Sequence, residues 1–377
     1  MDAPFTFGKQ VAFTDFADRE KDSKFLTDNL LALTNTTLIS PRRWGKSSLV
    51  ERVTSTIEKE RKDFLVARID LFNCRSESDF YHKYASGILS CATTRFEELA
   101  SAVTKYLSRY APTLQLSDPL GSRELSFRLE IRDTERSFDE ILDLPQKIAE
   151  DRKKKVIVCI DEFQSICDYG DSLSFQKALR AHWQRHKDVA YCLYGSKRRM
   201  MNDIFSNPEN PFYKFGNIMF LEKISKKDWV PFIEKRFMDT GKSICRDASS
   251  LIVDLTDEHP YYVQQLSQLS WFRTEDKCTT AIVKDALGSL VNQLDMTFSM
   301  IMQNLTVKQV AFLCAVSDGV ENFSSVDALR KYNYGTAANV KNIKEKLERM
   351  EIIDFLPGKV EFLDPILKYW LDNVYRK

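Results

Sequence analysis

A lysine and a serine hydroxyl placed directly after a glycine, Gly45-Lys46-Ser47, can hold phosphate. They sit in Leu38-Ile-Ser-Pro-Arg-Arg-Trp-Gly-Lys-Ser-Ser-Leu-Val50, an apolar lead-in, a turn-forming middle and a run with helical character. In such a loop the backbone N–H groups near Gly45 converge on phosphate oxygens at a helix N-terminus, where the dipole favours anions. Lys46 then reaches the terminal phosphates and the Ser47 hydroxyl sits on Mg²⁺. The usual pattern begins with glycine, and Ser40 stands there. Serine makes the turn if its φ is negative. A second group, Asp161-Glu162, leaves the apolar run Val156-Ile-Val-Cys-Ile160. An aspartate there holds Mg²⁺ directly or through water, and an adjacent glutamate polarises an attacking water. A third, Ser196, ends the apolar run from Val189 to Gly195, between the first two motifs, where its hydroxyl touches a terminal phosphate or orients the water. Arg198 follows, and an arginine near a transferring phosphate stabilises developing charge. The plainer alternatives are an acidic strand exit and a solvated basic helix start.

These residues need strands that end at one edge and helices that start there. Thr36 to Ile39 reads as a short buried strand, Ser47 to Glu60 as a helix with Leu49, Val50, Val53 and Ile57 inward, and Phe64 to Phe72 as a second, nearly all-apolar strand. Such strands alternating with helices belong to a parallel sheet covered on both faces, with ligands outside the carboxyl ends of the strands. Phe25 to Leu33 suits a helix beside the loop, Ser78 to Tyr110 a helical segment, and Arg123 to Ile131 an exposed or edge strand. Ser137 with Glu140 matches a capping box, predicting a helix from Ser137 into Arg152-Lys-Lys-Lys155. Ile218 to Leu221 reads as the last strand of the core.

From Ser225 strands largely give out, and amphipathic helices are predicted over Lys226–Thr240, Asp247–Thr256, Pro260–Phe272 and Thr279–Asn304. Pro260 suits a first helical position. From Leu305 come helices Val307–Val316, Ser325–Lys331 and Thr336–Met350, then strands Ile352–Phe355 and Lys359–Leu363, the layout of a winged helix-turn-helix. The expected division is therefore a core over 1–221, a helical lid over 222–304 and a winged helix over 305–377. The third winged-helix segment mixes Lys341, Lys344, Lys346 and Arg349 with Glu345 and Glu348, which argues against a strong phosphate-contacting face.

The chain has 377 residues, 43% hydrophobic and 29% charged, with a net charge of +1. That balance excludes whole-molecule steering by nucleic acid. No apolar run approaches the ~20 residues of a membrane span, and the N-terminus lacks a signal-peptide pattern. The eight cysteines are scattered without a C-x-x-C pair, as expected of reduced thiols in a cytoplasm. His182 and His186 lie four apart, the spacing of two metal ligands, but no third ligand is evident, so ordinary packed or surface histidines are expected.

Taken in order, Phe7-Gly8, Phe16 with Asp18-Arg19-Glu20, Ser40-Pro-Arg-Arg-Trp-Gly-Lys-Ser-Ser48, Ile160-Asp-Glu-Phe-Gln164, Gly195-Ser196 and His259-Pro-Tyr261 resemble the archaeal-type ATPase family of the AAA+/STAND P-loop group, also found in bacteria. Val360 to Trp370 looks like the segment that ends many members. The resemblance implies an α/β AAA+-like core with a parallel sheet, an all-α lid and a C-terminal winged helix. It implies ATP or ADP and Mg²⁺ as ligands, with Lys46 and Ser47 on phosphate and metal, Asp161 assisting the metal and Glu162 as the base. Ser196 falls at the sensor position, and His259-Pro260 where the lid approaches nucleotide, with Glu258 where many relatives have glycine. Phe16 and Arg19 lie in the segment expected near adenine. Arg42, Arg43, Trp44 and Ser48 belong to the nucleotide loop, and neither arginine has an assigned task. Some members carry a nuclease after the winged helix, and none is expected in this chain, which stops at Lys377.

The leading reading is an Mg²⁺-dependent ATPase whose nucleotide state sets the arrangement of lid and winged helix. Two others stay open: a nucleotide-bound scaffold with slow or no turnover, and a DNA-binding regulator using the winged helix. A homo-oligomer or protein partner fits any of them. No membrane association is expected.

Overall fold

The structure is a computed structural model that describes residues 3–8, 17, 19–93, 105–107, 111–116, 125–130, 134–356 and 358–377. Two compact units emerge, residues 19–222 and, as the other, 223–377 with the N-terminal segment.

The first unit is built on β1 (Thr36–Ile39), β2 (Phe64–Asp70), β5 (Lys155–Asp161), β6 (Val189–Gly195) and β7 (Asn217–Phe220). All five are parallel, in the order β2-β5-β6-β1-β7. Strand β6 therefore lies between the strand that feeds the phosphate loop and the strand that ends in the acidic pair. Every residue of β1 and β6 is buried, because helices cover both faces of a parallel sheet. Ile39 pairs with Gly195, so Ser40 and Ser196 leave the sheet at the same level.

Helix α1 (Glu20–Leu31) precedes β1, and α2 (Lys46–Glu60) follows the loop, with Leu49, Val50, Val53, Thr54 and Ile57 buried at helical spacing. Helix α3 (Glu77–Ala92) packs on the sheet with Phe80, Tyr84 and Ile88 buried, and its Ser76 caps Asp79 N–H. It ends at Ala92; most of the further stretch to Tyr110 lies outside the described residues. The predicted strand near Arg123 is present as β4 (Leu125–Glu130), paired antiparallel with β3 (Ala111–Leu116) in a separate hairpin.

The capping-box expectation at Ser137 is corrected. Helix α4 (Thr134–Leu142) already contains Ser137, and a second helix, α5 (Leu144–Arg152), starts after Asp143. Pro145 explains the break, since a residue without an N–H is accommodated in a first helical turn and not in an interior. A 3-10 turn (Phe163–Asp168), α6 (Ser172–Trp183) and α7 (Arg198–Ser206) complete this unit. Trp183 stacks on Tyr191 at 4.3 Å and lies beside Tyr84, Phe163 and Phe212, the aromatic centre of the core.

His182 and His186 share one carboxylate, Asp143. Asp143 Oδ1 lies 2.7 Å from His182 Nδ1 and 3.3 Å from His186 Nε2, while Asp139 Oδ1 is 3.0 Å from His182 Nε2. Tyr191 sits 2.8 Å from His186 Nδ1 and 3.2 Å from the Tyr84 hydroxyl. No group of three or more His, Cys, Asp or Glu side chains among the described residues is arranged to hold a metal. Burial pushes the Asp143 carboxyl up, but hydrogen bonds from His182 and His186 outweigh it and leave it below the usual carboxylate range. Burial pushes His186 below its ordinary value, against the pull of Asp143. An unfolded histidine takes its proton near pH ~6.5 and this folded one later, so stability is present above that pH and lost as pH falls through it. The depressed Asp143 adds a further loss at lower pH, with the same sign. Thermal unfolding should show a lower Tm at pH 5.5 than at pH 7.5, and His186→Gln should shrink that difference.

In the second unit, helices α8 (Lys226–Met238), α9 (Arg246–Leu255), α10 (Pro260–Phe272) and α11 (Thr280–Gln303) match the predicted amphipathic runs. They are followed by α12 (Val307–Ser317), α13 (Val326–Tyr332), α14 (Ala337–Arg349) and the hairpin of β8 (Ile353–Leu356) and β9 (Lys359–Phe362). A Thr306–Gln309 capping box starts α12. The helical part and the winged-helix layout share one core. Trp370 donates to Asp295 of α11 at 2.6 Å, and Tyr262 of α10 donates to Asp364 at 2.5 Å. The N-terminal segment also belongs here, not with residues 19–221 as the expected division had it. Phe5 is buried 5.7 Å from Phe237, and Gln268 donates to its carbonyl.

Candidate phosphate-binding site

The loop between β1 and α2 takes its shape from two left-handed residues, Arg43 (φ 64°) and Gly45 (φ 91°). Ser40 is not one of them, which is why serine serves where the usual pattern has glycine. Its hydroxyl turns inward to Pro41 O at 3.2 Å, fully buried. Gly45 has open space where a Cβ would stand, so its backbone angle, not crowding, demands glycine. It caps α2, leaving the first-turn N–H groups from Lys46 onward at the sheet's carboxyl edge.

Six of the predicted residues converge at this edge: Arg42, Lys46, Ser47, Asp161, Glu162 and Ser196. Ser47 Oγ donates to Asp161 Oδ2 at 2.7 Å. Lys46 Nζ lies 3.5 Å from Glu162 Oε1, with both side chains largely buried. Ser196 Oγ donates to Glu162 Oε2 at 3.0 Å, and Arg42 Nε donates to Ser196 Oγ at 3.4 Å. Burial raises the Asp161 carboxyl above its ordinary value, with Lys46 and the Ser47 hydrogen bond pulling it back. Glu162 leaves β5 in a left-handed conformation (φ 51°), a strained backbone of the kind that persists at functional sites.

The remaining candidates are placed as follows. The Arg198 guanidinium lies 5.9 Å from the centre of the Trp44 ring, at the start of α7. Arg19 is buried in a left-handed conformation, pairs with Asp22 at 3.0 Å and donates to Trp44 O at 3.3 Å, so it braces the loop from α1. Ser48 is buried on α2, and Arg43 is exposed. Phe16 lies outside the described residues. His259 and Pro260 belong to the second unit, where they begin α10. Glu258 is left-handed (φ 57°), which accounts for the glycine of the resembled pattern, and its carboxylate accepts from Lys226 N–H at 2.6 Å.

Gln164 stands in the Ile160-Asp-Glu-Phe-Gln164 string quoted above, but the sequence assigns it no task. Its Nε2 donates to Glu162 Oε2 although the residue is 2% exposed. A polar residue two positions beyond the acidic pair, in a segment whose neighbours Phe163 and Ile166 are buried, was the available signal. Lys344 is also not the exposed cation its sequence position suggests. It lies over Phe323 at 4.9 Å and Phe355 at 5.1 Å, and burial lowers its pKa.

A parallel sheet of this order, a loop that caps α2 and a carboxylate pair on the next strand but one make a P-loop fold of the AAA+ type. It is followed by helices and a winged-helix layout. The Walker-type ATPase of Pyrococcus abyssi superposes with TM-score 0.69 at 19% identity, covering 98% of this chain and 99% of that one. The Aeropyrum pernix ORC2 protein, solved as ADPNP-ADP complexes, gives 0.57 at 16% identity over 96% and 94%. The Aeropyrum pernix ORC1 protein in complex with DNA gives 0.50 at 12% over 97% and 94%. No family model and no curated protein matches the sequence. No helix among the described residues is long and apolar enough to cross a membrane.

Proposed function

We propose that the protein is an Mg²⁺-dependent ATPase acting as a nucleotide-controlled switch. The observation that carries this reading is the convergence of Lys46, Ser47, Asp161, Glu162 and Ser196 around one helix N-terminus. The first-turn N–H groups of α2 and the Lys46 ammonium bind the phosphates. Ser47 and Asp161 fit a magnesium ion: both offer hard oxygen donors 2.7 Å apart, and one carboxylate with one hydroxyl leaves positions for water and phosphate oxygens. When bound, the ion neutralises charge on the phosphates. Glu162 accepts a proton from the attacking water, with Ser196 holding one carboxylate oxygen and Lys46 moving from the other toward phosphate as nucleotide arrives. Arg42, which donates to Ser196 Oγ, and Arg198, which lies over Trp44 of the loop, are the cations assigned here to charge developing on the terminal phosphate.

The lid and winged helix share one core, so a nucleotide signal reaching one of them reaches both. The packing of Lys344 against two aromatic rings disfavours the DNA-binding reading through that face. The test is a titration of ATP and ADP with and without Mg²⁺, measuring phosphate release and particle size together. Mg²⁺-dependent binding and phosphate release are expected. Tightly retained ADP with negligible release favours the scaffold reading, and absence of any nucleotide binding removes both.

A further inference from the structure

We infer that Gln164 is a positioning residue that holds the Glu162 carboxylate for catalysis, and that Gly195 exists as glycine to make room for it. The inference rests on Glu162 acting as the base. Glu162 turns out of β5 in its left-handed conformation, and its carbonyl accepts from Ser165 N–H at 2.9 Å to start the 3-10 turn. That turn folds Gln164 back under the carboxylate. An ionised carboxylate only accepts hydrogen bonds, so the amide must present Nε2 to it, and the orientation of the carboxamide is thereby fixed.

Both neutral donors, Gln164 Nε2 and Ser196 Oγ, converge on the same oxygen, Oε2. Oε1 is left on the side of Lys46. One oxygen is thus tied to the fold and the other is presented toward the phosphates, which is what a base needs if its orientation is to be set before substrate arrives.

The other end of the amide shows what this arrangement demands. Gln164 Oε1 is buried with no hydrogen-bond partner among the described residues. It points at the end of β6, where a Cβ on Gly195 would lie 1.9 Å from Oε1 and 2.9 Å from Met201 Sδ. Gly195 has no left-handed φ, so its backbone would accept alanine. What crowds a side chain there is chiefly the Gln164 carboxamide and, less closely, Met201 Sδ, both flexible side-chain ends that would have to move. Burying an amide with half its capacity unmet is unfavourable compared with a hydrocarbon of equal size. A residue serving only to fill this space would be expected to be apolar.

Gln164→Met conserves volume and removes the donor. Steady-state ATP hydrolysis should show kcat lowered by about ten- to a hundredfold, the size of effect that misplacement of a catalytic group by ~1 Å produces. KM and nucleotide affinity should stay within about twofold, since the inference leaves phosphate binding untouched. Gly195→Ala, which displaces the carboxamide without altering it, should reproduce the loss of kcat and stands in if Gln164→Met folds poorly. In a Glu162→Gln background, Gln164→Met should have no further effect, because the group it positions is already disabled. A kcat within twofold of wild type for both single variants, with wild type active, overturns the positioning role and leaves the ATPase reading intact. A further tenfold fall on top of Glu162→Gln also overturns it, by showing that Gln164 acts independently of Glu162. A wild type that binds no nucleotide overturns the ATPase reading and this inference with it.

Discussion

Lys46→Ala is expected to abolish useful nucleotide binding. Lys46 is buried, at 7% exposure, and its ammonium stands 3.5 Å from Glu162, whose neighbour in the chain is Asp161. Removing it leaves two carboxylates facing the place where a triphosphate must sit. A unit-charge interaction at about 4 Å and an effective dielectric of about 20 is worth roughly 4 kcal/mol, which is about a thousandfold in Kd. The N–H groups of α2 remain, so residual affinity should be weak and lean more on Mg²⁺. Calorimetric titration with ATP and ADP, beside a thermal melt to show that the fold persists, checks this. Wild-type affinity in the variant would place the nucleotide elsewhere and sink the assignment of the loop.

The two halves of the site differ in how visible they are from the sequence. The phosphate loop and the acidic strand are local. Each is a run of apolar residues followed by a short polar string, and the physics of a buried parallel strand fixes where the string emerges. Helix boundaries in the second unit were legible for the same reason, and the predicted bounds of Pro260–Phe272 coincide with the structure. The rest depends on long-range order. Arg42 meets Ser196 across 154 positions only because β6 lies between β1 and β5, and residue spacing alone does not disclose that order. Gln164 looks like an ordinary polar residue until the turn places it against Gly195. The N-terminal segment could be assigned to either unit, since a phenylalanine such as Phe5 does not announce which core it enters. Ser137 misled because a capping box is a short string that also occurs inside helices, and Pro145 was the stronger signal. Lys344 misled because a lysine on a mixed-charge helix is read by its charge, while its hydrocarbon stem and ammonium can also cover aromatic rings.

Glu162→Gln separates binding from turnover, which Lys46→Ala does not. Glutamine has the shape of glutamate, and its carbonyl oxygen can still accept from Ser196 and Gln164, so the local fold should persist. The backbone strain at φ 51° is the same for either residue. What changes is that an amide does not take a proton from water, and that Lys46 loses its negative partner 3.5 Å away. The first change should lower single-turnover phosphate release by roughly 10²- to 10⁴-fold, the usual contribution of a positioned general base. The second should leave ATP affinity equal or tighter, because Lys46 no longer has to part from a carboxylate before meeting phosphate. Together they predict a variant that accumulates the ATP-bound state. Such a variant also isolates the switch: if ATP sets the arrangement of the second unit, its hydrogen-exchange pattern in residues 223–377 should differ between ATP and ADP and persist without hydrolysis. Phosphate release within tenfold of wild type would instead show that the carboxylate serves to anchor Lys46, with another group activating the water.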